Sequence, residues 1–143
     1  MASPAPVPEV VELADERATL ALGARLAGEA ARGDVFALEG ALGAGKTTLA
    51  RGFIRALTDA DEEVPSPTFT LVQTYDSAKG PLWHFDLYRL EDAEEAWELG
   101  IEDAFAEGIS LVEWPERLGP LLPPRRRAVR LELAGEGRRA VLS

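Results

Sequence analysis

The sequence predicts a single α/β domain: a mostly parallel central sheet, flanking helices and antiparallel hairpins at the sheet edges. Three observations lead there. Short apolar runs at 35–38 and 109–112 alternate with stretches of helical periodicity, as strands and helices sharing one sheet do. A glycine-rich loop joins the first of those runs to an amphipathic helix. Turn-forming clusters at 76–80 and 135–137 each separate two strand-like segments at hairpin range. The 143 residues suit one domain, and 46% of them are hydrophobic, ordinary for a chain with a packed core.

Taken in order, the proline-rich residues 1–9 read as a flexible tail and 10–143 as the domain. Asp15 offers an N-cap to a helix running to about residue 31, with Leu22, Leu26 and Ala30 on one face. Gly33 reads as the C-terminal stop of that helix. Residues 35–38, Val-Phe-Ala-Leu, form a short buried strand bounded by Asp34 and Gly40. A second helix over 46–57 buries Leu49, Phe53 and Leu57 at four-residue spacing. The acidic, proline-bearing stretch 59–67 is a loop, and 69–75 with 82–87 make an antiparallel hairpin. A helical stretch over 91–107 breaks near Gly100, and a buried strand over 109–112 ends at Glu113. Strands over 128–133 and 139–142 pair across Gly135-Glu136-Gly137.

The formal charge of −10 argues against a DNA-binding or general nucleic-acid-binding chain, because phosphate attraction needs a positive surface. The charge is uneven. Residues 125–143 carry six arginines against two glutamates, a balance of +4, which leaves −14 for the rest. Residues 91–107 hold eight acids and no base, read as a solvated helix face or a docking surface for a basic partner. With no cysteine, disulfides and thiolate metal sites are excluded. No apolar run approaches the ~20 residues of a membrane span, and the N-terminus lacks the basic-then-apolar pattern of a secretory signal. The cytoplasm is the default address, with no membrane partner.

Gly40-Ala41-Leu42-Gly43-Ala44-Gly45-Lys46-Thr47 matches the pattern G-x-x-x-x-G-K-S/T. The glycines let successive backbone N–H groups turn inward toward phosphate. Lys46 supplies a compact charge for the outer phosphates. Thr47 and Thr48 open a helix whose positive dipole end faces the anion, and the Thr47 hydroxyl can reach Mg²⁺. The rival pattern G-x-G-x-x-G fails, since Thr48 stands where its third glycine belongs. This is a phosphate-binding loop, with ATP and Mg²⁺ as the expected ligands.

A phosphate-binding loop of this class also needs an acid at a strand end, to hold Mg²⁺ directly or through water. Asp86 and Glu113 both qualify, and pattern alone does not choose between them. His84, the one histidine, stands in an alternating strand beside Asp86 and reads as structural or as a proton-transfer group. Ser66-Pro67-Thr68-Phe69-Thr70 lies where a nucleotide-sensing loop would sit. The chain has no asparagine, which disfavours a guanine-reading Asn-Lys-x-Asp motif. Gln73 is its only glutamine, so a water-positioning glutamine is nearly excluded and intrinsic hydrolysis should be slow.

Four segments together resemble the TsaE (YjeE) family: Gly43-Ala44-Gly45-Lys46-Thr47-Thr48, Ser66-Pro67-Thr68-Phe69-Thr70-Leu71-Val72, His84-Phe85-Asp86-Leu87-Tyr88-Arg89-Leu90 and Leu111-Val112-Glu113-Trp114-Pro115. The resemblance covers about residues 10–140 and implies a bacterial ATPase of tRNA threonylcarbamoyladenosine biosynthesis. It implies TsaD and TsaB as partners, with tRNA reached indirectly through their complex, and hydrolysis that resets that complex between turnovers. It also implies roles: Thr47 and Glu113 as Mg²⁺ ligands, Asp86 as the acid needed for hydrolysis alongside Lys46, and Glu16 and Arg138 as nucleotide contacts. The competing readings are a P-loop kinase for a small molecule or nucleotide, with Arg125-Arg126-Arg127 as a phosphate-clamping lid, and a non-hydrolysing ATP-dependent interaction module.

Overall fold

Seven strands form one sheet in a computed structural model that describes residues 8–41, 43–67 and 70–143. In chain order they are β1 (Glu9–Leu13), β2 (Val35–Glu39), β3 (Val72–Ser77), β4 (Gly80–Asp86), β5 (Ile109–Glu113), β6 (Arg127–Ala134) and β7 (Gly137–Leu142). Across the sheet the order is β1-β7-β6-β2-β5-β4-β3. The central strands β6, β2, β5 and β4 run parallel, whereas β7, β1 and β3 join antiparallel at the edges. This is the expected α/β layout.

Helices α1 (Glu16–Glu29) and α2 (Lys46–Leu57) cover one face. Leu26, Leu49 and Phe53 pack there against Phe36, Leu38, Leu111 and Leu131, all fully buried or nearly so. Phe53 meets Phe36 edge-on, with ring centroids 5.1 Å apart. On the opposite face, α3 (Ile101–Glu107) and two 3₁₀ segments, Ala93–Leu99 and Pro115–Leu121, close over Phe85 and Val112, the second segment burying its Leu118 there.

Asp15 caps α1 as its type requires, accepting from the Ala18 N–H at 2.9 Å. The far end differs from expectation. The helix stops at Glu29, and Gly33 lies in the turn beyond it. Its last carbonyls are satisfied by Lys79, whose Nζ donates to Ala27, Gly28 and Ala30 at 2.8, 3.0 and 2.7 Å. A cation from the β3–β4 turn thus does the work of a glycine cap, and favours the negative end of the helix dipole as well.

The chain enters the sheet earlier than the sequence indicates. Glu9, placed in the tail, opens β1 and stands opposite Leu142. Edge position explains why periodicity missed this strand: only Leu13 of its five residues is buried, so little alternation was imposed on it. The helical reading of 91–107 resolves into the 3₁₀ segment and α3, with the break at Gly100 as expected. All eight of its acids are exposed, and none makes an ion pair with a described residue. Among the described residues no helix is long and apolar enough to cross a membrane.

Topology brings the functional candidates together. Because β5 lies between β2 and β4, the C-terminal ends of these three parallel strands are neighbours. The glycine loop, Glu113 and Asp86 emerge there side by side, at the sheet edge where α/β folds bind ligands.

Candidate functional site

The loop between β2 and α2 is shaped by glycines where no other residue fits. Gly45, the residue before α2, has a left-handed backbone with φ of 105°. Gly40 has φ of 140°, and a Cβ there would lie 2.5 Å from the Leu131 carbonyl oxygen, so the loop leans on β6 with bare backbone. The first N–H groups of α2, which have no partner within the helix, open toward the cavity beside Gly43 and Gly45. Leu42 lies outside the described residues.

Lys46 is almost fully buried and does not simply extend into solvent. Its Nζ donates to the Gly40 carbonyl and stands 3.4 Å from the centre of the Trp114 ring. Trp114 follows Glu113 directly and takes a left-handed backbone, φ 58° and ψ 52°, which is costly for a bulky residue and turns its ring over the loop. Burial pushes the Lys46 ammonium below its ordinary pKa, while Glu113, Glu116 and Asp86 pull it the other way. An incoming phosphate would compensate this desolvated charge.

Facing Lys46 are the two acids. Glu113 is buried, and its carboxylate accepts from Thr47 Oγ1 at 3.0 and 3.2 Å. His84 Nε2 stands 2.6 Å from Glu113 Oε2. Asp86 stands directly opposite Glu113 in the β4–β5 ladder and accepts from the Tyr88 N–H at 3.1 Å. These groups, with Ser66, Tyr88 and Trp114, line a cavity of about 270 Å³. Among the described residues no group of three or more His, Cys, Asp or Glu side chains could hold a metal. The donors present are hard oxygens, too few to cage a cation by themselves. That suits Mg²⁺, which keeps water and completes its shell from phosphate oxygens. Thr47 and Glu113 would hold it.

A second cavity of about 270 Å³ adjoins the first across Gly43, Gly45 and Thr48. Glu16 and Arg138 line it, with Thr19 and Asp15. Arg138 Nη2 donates to the Gly43 carbonyl at 3.1 Å, tying the β6–β7 hairpin to the loop. The two residues that sequence likeness alone suggested therefore lie beside the loop.

The structure gathers Glu16, Gly43, Gly45, Lys46, Thr47, Thr48, Asp86, Glu113 and Arg138 around these two cavities. Ala44 is the exception: its side chain is buried in the apolar core, so only its backbone could serve a ligand. Ser66 lines the first cavity, whereas Thr68 and Phe69 lie outside the described residues. His84 meets Glu113, not its strand neighbour Asp86. Trp114 went unread as a site residue, although Val-Glu-Trp-Pro was the signal that could have marked it. The arginine run does not form a lid. Arg125, Arg126 and Arg127 border a separate cavity with Gly33, Asp34 and Val35, at the start of β2 and so at the opposite end from the loop.

The family model described as "Threonylcarbamoyl adenosine biosynthesis protein TsaE" matches residues 13–141. The chain belongs to the TsaE family. The match encloses both cavities, from Glu16 to Arg138. The TsaE protein of Bacillus subtilis (strain 168) is 42% identical over 110 residues, 76% of this chain and 68% of that protein. The TsaE protein of Nostoc sp. (strain PCC 7120) is 44% identical over 134 residues, 89% of this chain and 80% of that protein. The crystal structure of Bacillus subtilis YdiB superposes with a TM-score of 0.79 at 31% identity, covering 98% of this chain and 87% of that one. These TsaE relatives are named as tRNA threonylcarbamoyladenosine biosynthesis proteins, so the chain is a member of a tRNA-modification family.

Proposed function

We propose that this chain is the ATP-binding and ATP-hydrolysing subunit that supports a TsaB–TsaD complex in threonylcarbamoylation of the tRNA adenosine next to the anticodon. The observation that carries the reading is the Thr47–Glu113 contact at 3.0 Å, made beside the buried Lys46 at the mouth of a glycine loop. That arrangement suits Mg²⁺-bound triphosphate. When bound, Mg²⁺ would neutralise charge between the outer phosphates. The chain's own residues do the remainder. The N–H groups at the start of α2 and the Lys46 ammonium bind phosphate oxygens. Glu16 and Arg138 hold the remainder of the nucleotide, in the adjoining cavity. Asp86, at the cavity wall, orients the attacking water or the metal's own waters.

Hydrolysis by the chain alone is slow in this reading. Gln73, the only glutamine, lines neither cavity, and its amide donates to Thr70 Oγ1. A transition-state group supplied by another subunit is worth about 10³ to 10⁵ in rate. A kinase reading loses its lid, because the arginine run stands at the far end of the sheet.

The test is phosphate release from ATP by the chain alone, with TsaB–TsaD, and with a library of phosphate acceptors. We expect slow release alone and clear stimulation by TsaB–TsaD. A rate already fast alone and indifferent to the partner would refute the proposal, and phosphate transfer to an acceptor would favour the kinase. Repeating the partner arm at low and high salt locates the contact: stimulation that weakens with salt favours the acidic stretch 91–107, and salt-indifferent stimulation removes it.

A further inference from the structure

We propose that His84 is a positioning residue for Glu113, holding one carboxylate oxygen so that the other is aimed at Thr47 and the metal. The inference rests on the Mg²⁺–nucleotide reading given above. It begins with register. Asp86 stands opposite Glu113 and His84 opposite Leu111 in the β4–β5 ladder, and side chains alternate along each strand. His84, Asp86 and Glu113 therefore share the sheet face that carries α2 and the glycine loop.

Glu113 is gripped by two donors from two other elements. Thr47 Oγ1, on α2, lies 3.0 Å from Oε1 and 3.2 Å from Oε2. His84 Nε2, on β4, lies 2.6 Å from Oε2. A carboxylate can only accept, so the ring carries its proton on Nε2. Left with Thr47 alone, the carboxylate could swing about its terminal torsion and present either oxygen, or turn off the site. Fixing Oε2 removes that freedom. Outer contacts of this kind set the orientation of metal-ligating carboxylates, and losing one typically weakens metal affinity by about 10 to 100-fold.

The other ring nitrogen separates this role from mere packing. His84 is 0% exposed, and its Nδ1 finds no hydrogen-bond partner among the described residues. Among the described residues Glu113 is thus the one hydrogen-bond partner of the ring. A side chain kept only to fill this space needs no nitrogen, and a buried unpaired one is costly. Phenylalanine would fill nearly the same volume without that cost.

The test compares His84→Phe with His84→Gln in the full chain. Phenylalanine keeps the ring volume but has no donor, whereas the glutamine amide reaches close to where Nε2 stands. ATP binding is measured by calorimetry across a Mg²⁺ titration and again in EDTA, with thermal melting as the check on folding. We expect His84→Phe to raise the Mg²⁺ concentration for half-maximal binding by about 10 to 100-fold. Its metal-free affinity should match the wild type, and His84→Gln should recover most of the loss. Should His84→Phe fail to fold, His84→Gln against the shorter His84→Asn makes the same comparison, with only glutamine retaining the Mg²⁺ response. An unchanged Mg²⁺ requirement in His84→Phe, or equal losses with and without Mg²⁺ in both variants, would overturn the inference while leaving the nucleotide reading intact. Wild-type binding that ignores Mg²⁺ would overturn both.

Discussion

Helices α1 and α2 cross on bare backbone, and a single methyl group there should be felt throughout the domain. A Cβ built on Gly52 lies 2.3 Å from the Leu20 carbonyl oxygen and 2.9 Å from the Leu20 Cα and carbonyl carbon. Ordinary contact begins at about 3.4 Å, so the two helices must separate by roughly 1 Å. Every atom in the way belongs to backbone, and no side chain can rotate aside. The separation loosens the packing of Leu22 and Leu26 against Leu49 and Phe53. Overpacking of this kind costs about 3 kcal/mol, and the better helix propensity of alanine returns about 1 kcal/mol. Gly52→Ala should therefore lose about 2 kcal/mol net, or about 8 °C in melting temperature. Gly28, in α1, is the internal control, because nothing lies within 4 Å of its added Cβ. Gly28→Ala should gain about 0.5 to 1 kcal/mol from propensity alone. Urea unfolding and thermal melts of the two variants measure this directly. A Gly52→Ala protein that melts at or above the wild-type temperature would refute the close-crossing argument.

Other outcomes follow from the same geometry. Glu113→Ala should chiefly weaken Mg²⁺-dependent nucleotide binding and Asp86→Ala chiefly lower turnover, since a ligand acts on the ground-state complex and a water-orienting acid on the barrier; equal losses of affinity in the two would sink this division. Lys79→Met should cost about 1 to 2 kcal/mol in urea unfolding, because two carbonyls of α1 and that of Ala30 just beyond it lose a charged donor. No change would show that water replaces the lysine freely. Arg25 beside Glu9, and Arg127 and then Arg25 beside Glu29, hold both carboxyls below the ordinary 4.5. Their contribution is present above about pH 4.5 and lost as pH falls through the lowered values. Arg25→Ala should flatten the acid side of a melting-temperature profile, most visibly at low salt; an unaltered profile would assign the acid sensitivity elsewhere.

Much of the candidate site was legible in the chain because its residue pattern is local. The bounds of α2, 46–57, and its buried Leu49, Phe53 and Leu57 follow from spacing alone. The glycine loop announces itself by residue type, and Glu113 and Asp86 by their places at strand ends. What stayed hidden depends on partners distant in sequence. Lys79 caps α1 from about 50 residues away, so nothing near Gly33 could reveal that the helix ends at Glu29. His84 sits beside Asp86 in sequence, but the parallel β4–β5 register delivers it to Glu113. Trp114 reaches Lys46 only because its own backbone turns left-handed, which no propensity foretells. Edge strand β1 left too weak an apolar alternation to be read.

The central claim, that the glycine loop and its two acids form an ATP site, is tested most directly by equilibrium binding of ATP to the wild-type chain and to Lys46→Ala. Lys46 places its charge at the cavity rather than in the apolar core, so the variant should fold and melt like the wild type. The account predicts Mg²⁺-dependent ATP binding to the wild type, displaced poorly by GTP and lost in Lys46→Ala. ATP binding of equal strength in a folded Lys46→Ala, or none in the wild type, would contradict it.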